Sequence, residues 1–323
     1  LFRSEKVHIM KKTLLALTLC SSVFTVPAFA QWPEKPITII VPWAAGGNTD
    51  TVARLAAKGL QEELGVTVNV VNKTGGSGVV GHDAIKNAKP DGYTLGIATV
   101  EIAMMHHQGM TNLTYQDYTP ITRLAVIYGG LQVAKSSPFN NAQEIIDYAK
   151  ANPGKLKASG SGLNSIWHLN NIGMLRAAGL PDNAIRFIPS QGASAALQEL
   201  ASGGVDIVTS SLGEADSMVK AGLVKHMAIM SNEKSAFYPD VPLFKEATGY
   251  DWDLQAWNML VAPKGLDKEA QDKLTAAMKK VYASGELAEF ANKQGFEVIE
   301  LYGDDATQFM ANEDKKFGEI IKK

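Results

Sequence analysis

Short apolar and β-branched runs alternate with amphipathic stretches along most of this chain, beginning with Ile37-Thr38-Ile39-Ile40-Val41. A continuous apolar run of that length is of the buried-strand type. Gly46-Gly47 breaks it, Asn48, Thr49 and Asp50 offer N-cap side chains, and Val52, Leu55, Ala56, Leu60 and Leu64 follow at helical spacing until Gly65. Val66 to Val71 predicts a second strand. Asn72-Lys73-Thr74-Gly75-Gly76-Ser77-Gly78 then leads into a helix that stops before Pro90, and Tyr93 to Thr99 predicts a third strand. The order βαβαβ predicts a parallel sheet with helices on both faces.

The middle of the chain repeats the theme, with helices near Ala142 to Lys150, Ser165 to Ala178, Ala193 to Ala201 and Glu214 to Lys220. Strands near Leu156 to Ser159, Arg186 to Pro189, Val205 to Thr209 and Lys225 to Met230 lie between them. After an alternating stretch, Leu254 to Ala262, the chain ends in helices near Lys268 to Tyr282, Gly285 to Gln294 and Asp304 to Ile321. No Pro- or Ser-rich linker separates the halves. The pattern therefore predicts two doubly wound α/β lobes joined by a hinge, with Tyr118 to Val133 and Asp251 to Val261 as crossing segments. One lobe comprises 31–131 and 253–323, the other 132–252, and a ligand belongs in the central cleft between them.

The first thirty residues change the picture of where the chain works. Lys11 and Lys12, an apolar run from Leu14 to Phe24, and Ala28-Phe29-Ala30 read as a secretory signal peptide, with cleavage after Ala30 and Gln31 as the mature start. Residues 1–9 are polar and read as a mis-assigned extension ahead of Met10. The apolar run is shorter than the ~20 residues a membrane-spanning helix needs. A lipoprotein signal around Cys20 is the competing reading, against which stands Leu19, where lipoprotein cleavage takes a small residue. Cys20 is the one cysteine in the sequence, so the exported chain has no disulfide framework or thiolate metal site. The whole chain carries 31 Lys and Arg against 33 Asp and Glu. Setting aside Arg3, Lys6, Lys11, Lys12 and Glu5 leaves 27 and 32, a net charge of about −5. No basic stripe is present to hold nucleic acid.

Candidate chemistry gathers at strand-to-helix turns. The segment Trp43, Ala44, Ala45, Gly46, Gly47, Asn48 joins a strand end to a helix start, where backbone N–H groups and the helix dipole suit a carboxylate or phosphate. Ser159, Ser161, Asn164 and Ser165 form a hydroxyl-rich loop before another helix, followed by His168, which reads as pinning the start of its own helix. Gln191-Gly192 and Ser210 stand at two further turns. Gly76-Ser77-Gly78-Val79-Val80-Gly81 matches a dinucleotide-binding pattern, with Glu101 at a strand end in the place of a ribose-binding acid. Against that reading, four residues separate Val71 from Gly76 and the following helix is short. Nucleophile-elbow, zinc-protease and phosphate-loop motifs are absent from the sequence. The adjacent His106 and His107 lack a spaced carboxylate partner, and neither a metal nor a cofactor is expected.

Several motifs resemble one family. Trp32-Pro33-Glu34-Lys35-Pro36-Ile37, Val41 to Asp50 with Ala53-Arg54, Asn72 to Gly78 through Gly81, Pro90-Asp91-Gly92-Tyr93-Thr94-Leu95, Gly204-Val205-Asp206 and Tyr238 to Pro242 are similar to extracytoplasmic receptors of tripartite tricarboxylate transporters. The resemblance runs nearly the whole mature length and accounts for the second glycine loop. It implies a type II periplasmic-binding-protein fold, a monomeric periplasmic receptor that captures a small carboxylate and delivers it to the integral-membrane subunits of its transporter. Carried onto this chain, Trp43 to Asn48 and Ser159 to Ser165 hold the carboxylate. Gly76, Ser77 and Thr99 complete the expected cleft. Ile188 to Ala193 departs from the family's usual Val-Pro-Tyr-Lys-Gly-Gly and lacks its lysine. Glu101 is expected to line the cleft and to accept a hydrogen bond from an ammonium or hydroxyl of the ligand. The alternative is an exported nucleotide-binding or enzymatic α/β protein.

Overall fold

The computed structural model describes residues 32–322; the expected leader lies outside them. Strand β1 (Ile37–Val41) is buried along nearly its whole length. Helix α1 (Asn48–Leu64) follows and turns Val52, Ala53, Ala56, Ala57 and Leu60 inward. It ends at Gly65, whose φ of 70° is the left-handed geometry glycine adopts without a Cβ penalty. Strand β2 (Val68–Asn72), helix α2 (Val79–Lys86) and strand β3 (Thr94–Thr99) complete the predicted βαβαβ unit. Strands β2, β1 and β3 are parallel. Two antiparallel strands, the first part of β4 (Tyr118–Ala134) and β9 (Gln255–Pro263), extend this sheet. The order is β2-β1-β3-β9-β4.

The second lobe is built from α3 (Ala142–Ala151), β5 (Lys157–Ser159), α4 (Ile166–Ala177), β6 (Arg186–Phe187) and α5 (Ala193–Ser202). Strand β7 (Ile207–Ser211), α6 (Leu212–Lys220), β8 (Val224–Met230) and the short α7 (Phe244–Thr248) complete it. Strands β6, β5 and β7 are parallel, and the second part of β4 runs antiparallel between β7 and β8. Helices α8 (Lys268–Ala283), α9 (Glu286–Gln294) and α10 (Gly303–Ile321) return to the first lobe. There α8 crosses α1 so closely that a Cβ on Gly59 would fall 2.5 Å from the Val281 side chain.

One strand thus serves both sheets. Tyr118 to Tyr128 pair with β9, while Gly129 to Val133 pair with β7 and β8. The change of partner falls at Gly129, where a Cβ would lie 2.4 Å from Asn170 Nδ2 and 2.9 Å from the Leu254 carbonyl oxygen. The crossover therefore has no room for a side chain. A second crossing runs through the segment 231–254, held by Trp252 Nε1 donating to Asn170 Oδ1 at 2.8 Å. Each sheet has its own core, around Ile39, Leu60, Leu95 and Trp257 in the first lobe and around Leu131, Ile145, Met174 and Phe244 in the second. Among the described residues no helix is long and apolar enough to cross a membrane.

Candidate functional site

The loop after β1 is fixed from beneath by one carboxylate. Asp50, in the first turn of α1, is buried; its Oδ2 accepts the Gly46 backbone N–H at 2.8 Å and Arg54 Nε at 2.9 Å. Its Oδ1 accepts Arg54 Nη2 at 2.9 Å and Asn72 Nδ2 at 2.8 Å. Asn72 Nδ2 also donates to the Trp43 carbonyl at 2.9 Å, tying the end of β2 to the loop. Burial opposes the charge on Asp50, yet the Arg54 guanidinium and the Gly46 and Asn72 donors outweigh it and hold the carboxyl below its ordinary range. Asp50 is therefore an anchor rather than the N-cap expected from the sequence. The cap residue is Gly47, and no side chain caps α1.

A second chain of hydrogen bonds supports the adjoining wall. His82 is fully enclosed; its Nε2 accepts the Thr99 backbone N–H at 3.1 Å and its Nδ1 lies 2.8 Å from the Gly78 carbonyl. The first contact requires a lone pair on Nε2, which places the proton on Nδ1. Burial pulls the imidazole down to about 4, so it is neutral at ordinary pH. Thr99 Oγ1 accepts from Trp43 Nε1 at 3.3 Å and donates to Glu101 Oε2 at 2.5 Å. Glu101 does not end β3. That strand stops at Thr99, and Glu101 lies in a 3-10 turn, Val100–Ala103, that brings its carboxyl under the cleft. The glycines of the second loop serve this packing. A Cβ on Gly81 would fall 2.4 Å from the Pro42 Cα, so its absence lets α2 lie against the first loop.

The opposing wall comes from the second lobe. Ser165 is the N-cap position of α4 but caps nothing; its Oγ donates to the Gly162 carbonyl at 2.7 Å and touches the Ser161 hydroxyl. Asn164, at φ 64°, is held by its N–H donating to His168 Nδ1 at 3.0 Å. Gly192, at φ 140°, precedes α5, which also has no side-chain cap. Glu214 caps α6 with Ser211, its Oε2 accepting Ser211 Oγ at 2.7 Å.

These loops enclose a cleft of about 730 Å³ between the lobes. Trp43, Ala44, Ala45, Gly46, Gly47 and Asn48 line it from the first loop, joined by Ser77, Thr99 and Glu101. Ser161, Asn164, Ser165, Gln191 and Gly192 face them. Three expected residues lie outside the lining. Ser159 turns inward to donate to the Ile188 carbonyl at 2.7 Å, Ser210 is spent on Gln132 at 3.2 Å, and Gly76 forms part of the turn behind Ser77. Asn258, Glu214, Gln108, Trp167 and Trp257 line the cleft as well, although none was singled out from the sequence. Asn258 could have been, because it is a lone amide inside the apolar strand β9. Its Oδ1 accepts Thr49 Oγ1 at 3.4 Å, while its buried Nδ2 has no partner among the described residues.

Gln108 Nε2 donates to the Asn164 carbonyl at 2.8 Å, bridging the two lobes at the cleft. Arg176 of α4 makes a second bridge, donating to the Ile320 carbonyl of α10 at 2.6 Å. The neighbouring His106 and His107 do have a carboxylate partner: Nε2 of each lies 3.1 and 3.3 Å from Asp314 of α10. They sit in a turn, where successive side chains need not point to opposite faces.

A two-lobed α/β molecule whose sheets share a crossing strand, with uncapped helix starts gathered at the interlobe cleft, is a solute-binding receptor in construction. Comparison with known proteins gives the same class. The profile of the tripartite tricarboxylate transporter family receptor, TctC, matches residues 52–323, and the chain belongs to that family. A Cupriavidus necator relative described as "UPF0065 protein in gbd 5'region" is 32% identical over 319 residues, spanning 98% of this chain and 96% of that one. The structure titled "R. palustris Rpa4515 with adipate" is 26% identical, covers 90% of this chain and 97% of its own, and superposes with a TM-score of 0.82. MatC from Rhodopseudomonas palustris with bound malate is 25% identical, covers 90% and 100%, and gives 0.79.

Proposed function

We propose that this protein is the periplasmic receptor of a tripartite transporter, closing on a small carboxylate and presenting it to integral-membrane partner subunits. It acts as a monomer and catalyses no reaction. The observation that carries this reading is the convergence of three helix starts, α1, α4 and α5, without side-chain caps on one cleft. Such starts offer unpaired N–H groups and the positive end of the helix dipole, so an anion there needs no basic side chain. The orphaned Asn258 Nδ2 beside Thr49 adds a donor at the start of α1. The carboxylate accordingly belongs against Ala44 to Thr49 and Asn258, with Ser161 and Ser165 reaching it from the second lobe.

Closure is a rotation about the two crossings, at Tyr128–Gly129 and in the segment 231–254. The cleft residues lie on both lobes, so the ligand binds the closed form better and shifts the population toward it. The lobes divide at those crossings, near the limits 31–131 with 253–323 and 132–252. The family's extracytoplasmic role and the signal-like leader support a periplasmic location.

Mass spectrometry of small molecules released on denaturing the purified protein tests the reading. The expected finding is a carboxylate in near-stoichiometric amount; a nucleotide in its place would overturn it. Asn258→Ala is expected to weaken binding of that carboxylate by about 1.5–3 kcal/mol, roughly ten- to a hundredfold.

A further inference from the structure

The charge inside the cleft is one-sided. Glu101 lines it from the first lobe and Glu214 from the second, and among the described residues no Lys, Arg or His contributes to the lining. Glu101 is 8% exposed, and its Oε2 accepts the Thr99 hydroxyl. The enclosed His82 offers it no charge. His82 spends Nε2 on the Thr99 N–H and Nδ1 on the Gly78 carbonyl, and is neutral. Glu214 is half-buried and takes both of its capping bonds on Oε2, so Oε1 is in neither of them.

A buried carboxylate without a cation or a full set of donors is costly. Two of them facing one ligand would repel a dicarboxylate, which would add two further negative charges to a site that holds no basic side chain. A zwitterion reverses the balance: its carboxylate takes the helix starts, and its positive end takes the acids. Trp43, Trp167 and Trp257 also line the cleft, and aromatic rings attract a cation. Resting on the carboxylate reading above, we propose that the ligand is a monocarboxylate carrying an ammonium or quaternary nitrogen, held at that end by Glu101, with Glu214 reinforcing it from the opposite lobe. Burial pushes both carboxyls above their ordinary range, Thr99 offsetting it in part for Glu101 and Ser211 for Glu214, and an adjacent cation favours their charged forms.

Isothermal titration of the ligand-stripped protein with matched C4 and C5 series decides it: succinate, butyrate and 4-aminobutyrate, then glutarate, valerate and 5-aminovalerate. The amino acid of at least one series is expected to bind at least tenfold more tightly than its diacid. Glu101→Gln should shrink that ratio at least tenfold. Glu214→Gln retains a capping partner for Ser211 and should shrink it by a smaller factor. A diacid that binds as tightly as or more tightly than its amino acid in both series overturns the ammonium subsite and leaves the carboxylate reading standing, as does a ratio unmoved by Glu101→Gln in a folded variant. Failure of all six acids to bind overturns both. The wild-type comparison needs no variant to fold.

Discussion

His82 shows how much a single enclosed side chain determines at this site. Its neutral ring holds the Thr99 backbone, and through Thr99 the position of Glu101. The folded ring titrates near 4 and the unfolded one near 6.5. Between those values the unfolded state binds more protons, so the stability His82 permits is complete above about pH 6.5 and is lost as the pH falls toward 4. Urea unfolding should lose about 2 kcal/mol between pH 7.5 and pH 5 from this group. His82→Gln should flatten that slope, and equal slopes in the two proteins would refute the assignment. Asp50→Ala leaves the Gly46 N–H without its acceptor and the Asn72 amide with only one of its two, and should cost about 2–3 kcal/mol of stability, with the half-exposed Arg54 pair contributing little of it. Equal urea midpoints for that variant and the parent would contradict the anchor role. Most residues at glycine turns were legible in the sequence because such turns expose the chain at sheet edges. Asn258 and Glu214 reach the cleft from within β9 and from the first turn of α6 through a fold-level juxtaposition, and only Asn258, a lone amide in an apolar strand, left a mark in the sequence. Ser159 and Ser210 erred in the opposite sense: a hydroxyl in a polar loop does not reveal that the backbone beside it has already claimed it.

Among the elements, β4 contributes most to the architecture. Its seventeen residues serve two sheets, and the exchange of partners depends on a bare backbone at Gly129. Gly129→Ala should destabilise the protein by about 1–3 kcal/mol through overpacking against Asn170 and Leu254, measured as a shift in the urea midpoint. An unchanged midpoint would mean the crossover is looser than its geometry. Elements with a strong period, such as β1, α1 and α8, were legible almost to the residue, because burial on one face imposes the pattern directly. The 3-10 turn at Val100–Ala103 and the short α7 were not, since one turn of helix is too brief to show a period. That turn matters here, because it carries Glu101 off the end of β3 and into the cleft.

For the molecule as a whole, the two-lobed plan was legible in the repeated strand-helix alternation and the lack of a flexible linker, while the relative placement of the lobes was not. That placement rests on contacts between residues far apart in the chain, Gln108 with Asn164 and Arg176 with Ile320. If Gln108 helps hold the closed form, Gln108→Ala should raise the ligand off-rate several-fold, equivalent to about 1 kcal/mol, as read from tryptophan fluorescence in stopped flow. An unchanged off-rate would remove Gln108 from the closing contacts. The central claim, a receptor that captures a small carboxylate between its lobes, is tested most directly by calorimetric titration of the stripped protein with small carboxylates and with dinucleotides. The account predicts one-to-one binding of at least one carboxylate at micromolar or lower concentration and no heat from dinucleotides. Binding of a dinucleotide with no carboxylate bound would contradict it.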